Sequence, residues 1–290
     1  GVSNMHQAWG WYKKYFGIDI RVFEEAARAE LMLPYTGGQP RSRHAALSVN
    51  LQGGGGFEIW QYTDRIPEAP KFELKLGDLG IFSAKIKCKD IKATYNWYKS
   101  EGLNVVGEIN KVGEKELFYV RDPYNNLFQI ISATSWFKNE KKLTGGVYGA
   151  VIGVTDMQRS IDFYNKILGY DKIVSDETNI FNDFKAIPGG EGKFRRVILT
   201  HAQPRYGAFS ALFGDTQIEL VQAHDRKTVK IFKDRLWGDL GFIHLCFDMT
   251  GMAIMREECK KSGCPFTVDT GDSFDMGEAS GAFSYIEDPD

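Results

Sequence analysis

The chain has 290 residues and a mass of 32.8 kDa, a length that suggests two domains at roughly 100–200 residues each. A folded chain of this mass exposes about 12,500 Å² against about 48,000 Å² unfolded, so it can bury a core without disulfides or metal, and any metal argument has to rest on a site. Its 36 basic and 38 acidic residues leave a net charge of −2 with no long run of one sign, which argues against nucleic acid or a membrane surface as partner and favours a small molecule.

Four cysteines without a CxxC pair fit reduced thiols in the cytoplasm, no stretch approaches the roughly 18 apolar residues of a spanning helix, and no signal peptide opens the chain. The length is close to four times 72, which directs attention to an internal repeat.

In chain order, the first copy begins Gly1-Val-Ser-Asn-Met5 and continues with Trp11, Tyr12 and Gly17, six, seven and twelve residues beyond the Met. Strands are predicted over Ala45–Leu51 and Phe57–Tyr62. The Gly53–Gly56 run between them lacks the Lys-Ser/Thr of a phosphate loop and reads as a hairpin connection. A second copy has a strand over Phe82–Cys88, then Ile91 with Trp97, Tyr98 and Gly102. The polar, glycine-ended stretch Lys138–Gly146 reads as a linker.

The third copy, Gly153-Val-Thr-Asp-Met157, repeats the first offsets with Phe163, Tyr164 and Gly169. Asp156 caps a helix over Met157–Leu168 whose stripe is Ile161, Tyr164 and Leu168, and Gly169 stops it. Return strands are predicted over Phe194–His201, Gly207–Phe213 and Thr216–Gln222. A weaker fourth copy has a strand over Phe242–Phe247 and a helix around Met252, with Glu258 and Cys259 replacing the aromatic pair before Gly263. The unit is βαβββ, repeated four times. The expected domains are residues 1–137 and 145–290, with both termini falling inside a repeat unit.

The residues Gly153-Val-Thr-Asp-Met157, Phe163-Tyr164, Leu168-Gly169, the turn Arg121-Asp-Pro-Tyr-Asn-Asn126, Glu287-Asp-Pro-Asp290 and Gln217-Ile-Glu-Leu220 together resemble the vicinal oxygen chelate superfamily, which includes glyoxalase I, fosfomycin-resistance and bleomycin-binding proteins and extradiol dioxygenases. The resemblance covers nearly the whole chain. It implies an α+β fold of tandem glyoxalase-like domains, each made of two βαβββ modules that form an incomplete, mixed-sheet barrel with helices outside. It also implies a divalent metal (Zn, Ni, Mn or Fe) held by His or Gln from first strands and Glu from last strands. Open positions on such a metal chelate a substrate with two adjacent oxygens.

On the family's pattern the first-strand ligand lies eight residues before the helix Met or its equivalent, which is His244 in the fourth unit, Gly149 in the third and Ser83 in the second. Last-strand positions are Glu58, Gln129 and Glu219. The remaining two positions fall before Gly1 and after Asp290. The resemblance therefore implies a metal site in the second domain with His244 and Glu219 as ligands, Glu219 also moving a proton, and a degenerate first domain. Strand alternation independently puts Gln217, Glu219 and Val221 on one face, and a carboxylate buried there needs a cation. By the same alternation Ser83, Lys85 and Lys87 share a face, and Lys85 is expected to pair with Glu58 where a metal charge would otherwise stand.

Trp60 and Tyr62 share the face of Glu58 and either line a binding pocket or fill a core. His201 and Tyr285 are weaker substrate-contact candidates, while His6, His44 and His224 near turns or helix starts read as surface residues. Cys246 shares the face of His244 and reads as a small buried hydrophobe. Three functions follow: a metal-dependent lyase or isomerase of glyoxalase type, a non-catalytic sequestering protein like the bleomycin-binding relatives, or an extradiol-type dioxygenase. Gly149, where the last expects a His, argues against the dioxygenase. Related proteins build sites within one chain and between chains, so a homodimer stays open.

Overall fold

The computed structural model describes residues 1–275 and 280–290. Unit one consists of α1 (Met5–Phe16) followed by β1 (Ile20–Arg28), β2 (Ser42–Val49) and β3 (Gly56–Tyr62), an antiparallel sheet in the order β1-β2-β3. Unit two is β4 (Gly80–Cys88), α2 (Ile91–Ser100), β5 (Asn104–Val112), β6 (Lys115–Arg121) and β7 (Leu127–Ser132). Unit three repeats it as β8 (Thr144–Gly153), α3 (Met157–Leu168), β9 (Lys172–Asn179), β10 (Phe194–Thr200), the short helix α4 (Ser210–Phe213) and β11 (Gln217–Ala223). Among its described residues unit four has α5 (Met252–Lys261) and four two-residue strands: β12 (Val268–Asp269), β13 (Phe274–Asp275), β14 (Ser280–Gly281) and β15 (Ser284–Tyr285).

Units two and three form one mixed sheet in the order β5-β6-β7-β4-β8-β11-β10-β9. Each first strand runs parallel to its own last strand, and the two first strands, β4 and β8, pair antiparallel at the centre. The architecture is the α+β tandem of βαβββ modules with a curled mixed sheet. The central joint crosses the Lys138–Gly146 stretch, whose last residues already belong to β8. Among the described residues no helix is long and apolar enough to cross a membrane.

Local chemistry accounts for the repeated helices. Asn4, Asp90 and Asp156 each accept a hydrogen bond from the backbone amide three residues on, and Gly17 and Gly169 close α1 and α3 in the left-handed conformation at φ 62° and 70°. The tyrosine seven residues into the repeat has a specific partner. Tyr12 donates to Asp122 at 2.6 Å and Tyr164 to Asp288 at 3.3 Å, so a helix of one unit grips the Asp-Pro turn of the next. Around these contacts α1 and α2 share one core, with Met5, Phe16, Tyr98, Phe118 and Phe128 buried. A second core under α3 holds Ile152, Ile161, Tyr164 and Leu220. The inner face of the eight-stranded sheet is filled by Leu117, Tyr119, Val151, Phe184, Phe194 and Val221.

The Gly53–Gly56 run connects antiparallel β2 and β3 as expected, and a Cβ at Gly54 would stand 1.9 Å from the Leu212 carbonyl oxygen, so the turn needs glycine. Two predicted strands differ. Residues 207–213 end in the single turn α4, and the third return strand of that unit is instead β9, whose sequence Lys-Ile-Val-Ser-Asp-Glu-Thr-Asn is a polar sheet edge. Residues 242–247 are not a strand. Gly1 and Gly241 exchange hydrogen bonds at 2.7 and 3.1 Å, but beyond that point this segment has no ladder partner among the described residues.

The joint itself rests on Gly149, where a Cβ would meet the Gln217 carbonyl oxygen at 1.7 Å. Gly149→Ala is therefore expected to destabilise the chain by about 1–3 kcal/mol through forced strand separation. An unchanged urea midpoint would contradict this account.

Candidate functional site

Two polar centres occupy the faces of the two sheets. The first sits on the inner face of the eight-stranded sheet, and Gly149 makes it. In register, Lys85 on β4 lies beside Gly149 on β8, which lies beside Gln217 on β11. With no side chain at the middle position, Lys85 extends across β8, donates to Gln217 Oε1 at 2.5 Å and meets Glu219 Oε2 at 2.5 Å. Arg196 on β10 closes the other side, with Nε 2.6 Å from Glu219 Oε1 and Nη1 3.0 Å from Asp183 Oδ2. Gln129 donates to Tyr119 alongside at 3.1 Å.

Lys85 and Glu219 are both 0% exposed. Burial pushes the Glu219 carboxyl up, but Arg196 and Lys85 outweigh it and hold the group below the usual carboxylate range. Burial lowers the Lys85 ammonium against the opposing pull of Glu219. Each Glu219 oxygen faces one cation, Oε2 the Lys85 ammonium and Oε1 the Arg196 guanidinium. The centre is thus a sealed charge cluster, two cations and two carboxylates, whose burial cost is met by pairing.

The second centre lies where units one and four meet. On β3, Glu58, Trp60 and Tyr62 share a face with Leu47, Ala45 and Arg43 of β2. His244 Nε2 stands 3.4 Å from Glu58 Oε2, with side-chain exposures of 20% and 26%. Trp237 stacks on the His244 ring at 5.7 Å and 5°, Tyr285 meets it edge-on at 5.3 Å, and Trp60 packs against Trp237 at 4.8 Å. Arg65, 2.5 Å from the buried Asp239, and the Tyr62 hydroxyl, which donates to the Trp237 carbonyl, fix this segment to unit one.

Burial raises the Glu58 carboxyl, but its hydrogen bond with His244 and the charges of His244 and Arg43 prevail and hold it below its ordinary value. Burial, with the nearby charge of Glu58, keeps the Tyr285 phenol protonated well above the usual range. His244 Nδ1 is buried with no hydrogen-bond partner among the described residues.

The structure brings four of the sequence candidates together, His244, Glu58, Tyr285 and Trp60, and leaves Glu219 in the other sheet. The expected partners are exchanged: Lys85 meets Glu219 rather than Glu58, and His244 meets Glu58 rather than Glu219. The reason is unit pairing, with two joined to three and one joined to four. Trp60, 1% exposed, supports Trp237 rather than facing solvent. His201 stands apart, its Nε2 3.2 Å from the Leu168 carbonyl and its ring 4.2 Å from Tyr170. Cys246 is exposed rather than buried. Sequence reasoning missed Arg196, Asp183 and Trp237; the alternating pattern of β10 was the one available signal, placing Arg196 on a single face with Phe194 and Ile198.

Four units built on a βαβββ plan, with polar centres at equivalent places on paired sheets, define a tandem βαβββ-module protein. The sequence matches the model of the Glyoxalase/Bleomycin resistance protein/Dioxygenase superfamily over residues 1–130 and 148–290, and the chain belongs to that superfamily. Among curated proteins none matches. A putative dioxygenase from Bacillus subtilis shares the fold at a TM-score of 0.56 and 13% identity, over 100% of this chain and 83% of that one. Glyoxalase I from Zea mays is similar at a TM-score of 0.44 and 17% identity, over 78% of this chain and 66% of the maize chain. This chain thus spans about two thirds of the maize enzyme's length. A Streptomyces coelicolor methylmalonyl-CoA epimerase bound to 2-nitronate-propionyl-CoA aligns at a TM-score of 0.29 and 14% identity, over 52% and 99% of the two chains.

Replacing Glu219 by Gln leaves Lys85 and Arg196 short of a counter-charge and is expected to cost about 3–5 kcal/mol at neutral pH. Because the folded carboxyl titrates below its unfolded value, its contribution is complete above about pH 4.3 and fades as the pH falls through the lower folded value. Denaturant titrations should show the gap between wild type and Glu219→Gln closing on acidification; a gap independent of pH would contradict the assignment.

Proposed function

We propose that this chain is a divalent-metal-dependent lyase or isomerase of glyoxalase type, acting on a small substrate that presents two adjacent oxygens, with its site between units one and four. The observation that carries this reading is the His244–Glu58 pair. Metal bonds of about 2.0–2.2 Å place neighbouring ligand atoms about 3.0–3.5 Å apart, and His244 Nε2 and Glu58 Oε2 are 3.4 Å apart. Both stand at family ligand positions, and imidazole with carboxylate suits Zn²⁺, Ni²⁺, Mn²⁺ or Fe²⁺. A bound ion would supply Lewis acidity toward the substrate oxygens.

The surrounding residues have separate tasks. Trp237 and Tyr285 hold the imidazole plane from its face and its edge, and Trp60 backs Trp237. Tyr285, held protonated by burial, would donate to a substrate oxygen. His244 and, to a lesser extent, Arg43 keep Glu58 ionised and available as a ligand. We assign Glu219 a structural role, since it is enclosed between Lys85 and Arg196 with no exposed surface.

Elemental analysis after dialysis against Zn²⁺ or Ni²⁺ tests this. His244→Ala and Glu58→Gln should each lower retained metal by one equivalent, and acetohydroxamate, a bidentate oxygen ligand, should bind the loaded wild type at least about tenfold more tightly than the variants. Undiminished metal in both variants would overturn the reading. Metal and hydroxamate binding without turnover of any 2-oxygenated substrate would favour the sequestering function instead.

A further inference from the structure

A third cluster lies on the opposite face of the β1-β2-β3 sheet. The register puts His44 opposite Gln61 and Ala46 opposite Ile59, the face covered by α1, whereas Glu58, Trp60 and Tyr62 belong to the other face. Glu24 on β1 stands opposite Ala46, so it shares the α1-facing side diagonally with His44. His6, in the first turn of α1, leans over both. His44 Nε2 is 3.2 Å and His6 Nε2 3.6 Å from the same oxygen, Glu24 Oε1. The two rings meet edge-on at 5.4 Å, and one ligand atom from each of the three residues lies within 4.8 Å of the others.

We propose that His6, Glu24 and His44 form a second divalent-metal site, specific for a zinc-class ion and independent of the His244–Glu58 centre. Two imidazoles and one carboxylate favour Zn²⁺, Ni²⁺ or Cu²⁺ over Mg²⁺ or Ca²⁺, and three protein ligands leave a fourth position for water. The Glu24–His44 separation already matches neighbouring ligands on one ion. Only His6 has to close in, and its side chain, 66% exposed, is free to do so. Arg21 Nη1 lies 3.5 Å from the other carboxylate oxygen, Oε2, which steadies Glu24 while leaving Oε1 to the ion. The three ligands come from a helix and two strands, so a bound ion cross-links the start of α1 to the β1–β2 pair.

The test is a Zn²⁺ titration of the metal-stripped full chain by calorimetry, with circular dichroism to confirm folding. Wild type and His244→Ala should both show Zn²⁺ binding that weakens at least about tenfold when His6→Ala or His44→Ala is added. His6→Asp, which keeps a ligand, should restore most of it, and excess Mg²⁺ should not compete. Zn²⁺ affinity unchanged in folded His6→Ala and His44→Ala chains, or no Zn²⁺ binding in His244→Ala, would overturn the proposal.

Discussion

Gly149 is where β8 runs so close to β11 that a methyl group would collide with the Gln217 carbonyl. The same missing side chain opens the lane through which Lys85 crosses from β4 to Glu219. Strand spacing and charge pairing therefore depend on one residue. A larger residue there would have to separate the strands and would also fill the lane, stranding an ammonium and a carboxylate that have no access to water. The burial of these two charges is tolerable because they pair with each other and Glu219 pairs also with Arg196 on the neighbouring strand β10, which Asp183 in turn holds.

The two polar centres occupy equivalent places in related sheets and differ in what neutralises their glutamate. Around Glu219 the counter-charges are side chains of the protein, and the inner face is filled with Leu117, Tyr119 and Phe194. Around Glu58 there is one histidine at 3.4 Å, partial exposure and an unsatisfied ring nitrogen. A carboxylate already flanked by an ammonium and a guanidinium gains little from a metal, because binding one would require displacing cations that have no solvent to enter. Among the described residues the Glu58 centre has no such competitor in direct contact. That contrast supports placing chemistry at one centre and structure at the other.

Much of the fold was legible because repetition is a local signal. The offsets from Met5 and Met157 to their Tyr and Gly reflect contacts visible in the structure, the tyrosine reaching an Asp-Pro turn and the glycine ending the helix. Alternation also put Lys85, Glu58 and Glu219 on the faces they occupy. It could not say which face meets which, since alternation is a property of one strand and partnership is a property of two. Pairing units that are neighbours in sequence joins His244 to Glu219 and Lys85 to Glu58, whereas the folded chain pairs unit two with three and unit one with four. The polar strand β9 escaped notice for a related reason: an edge strand with its side chains in water lacks the apolar run that marks a buried one.

The contacts between units close into a ring. Units one and two are joined through α1, α2 and the Tyr12–Asp122 bond, two and three through β4 and β8, and three and four through α3, α5 and the Tyr164–Asp288 bond. Unit four returns to unit one through Arg65–Asp239, Tyr62–Trp237 and Gly1–Gly241. The Glu58–His244 centre sits at that last closure and joins residues far apart in the chain, so its loop-closure entropy must be offset by every earlier contact. The short strands β12 to β15 and the stretch 242–247, which has no ladder partner among the described residues, lie at the same junction. The geometry of His244 is accordingly set less by a strand than by Trp237, Tyr285 and the buried Asp239, which makes those side chains, rather than a sheet ladder, the support on which the candidate chemistry stands.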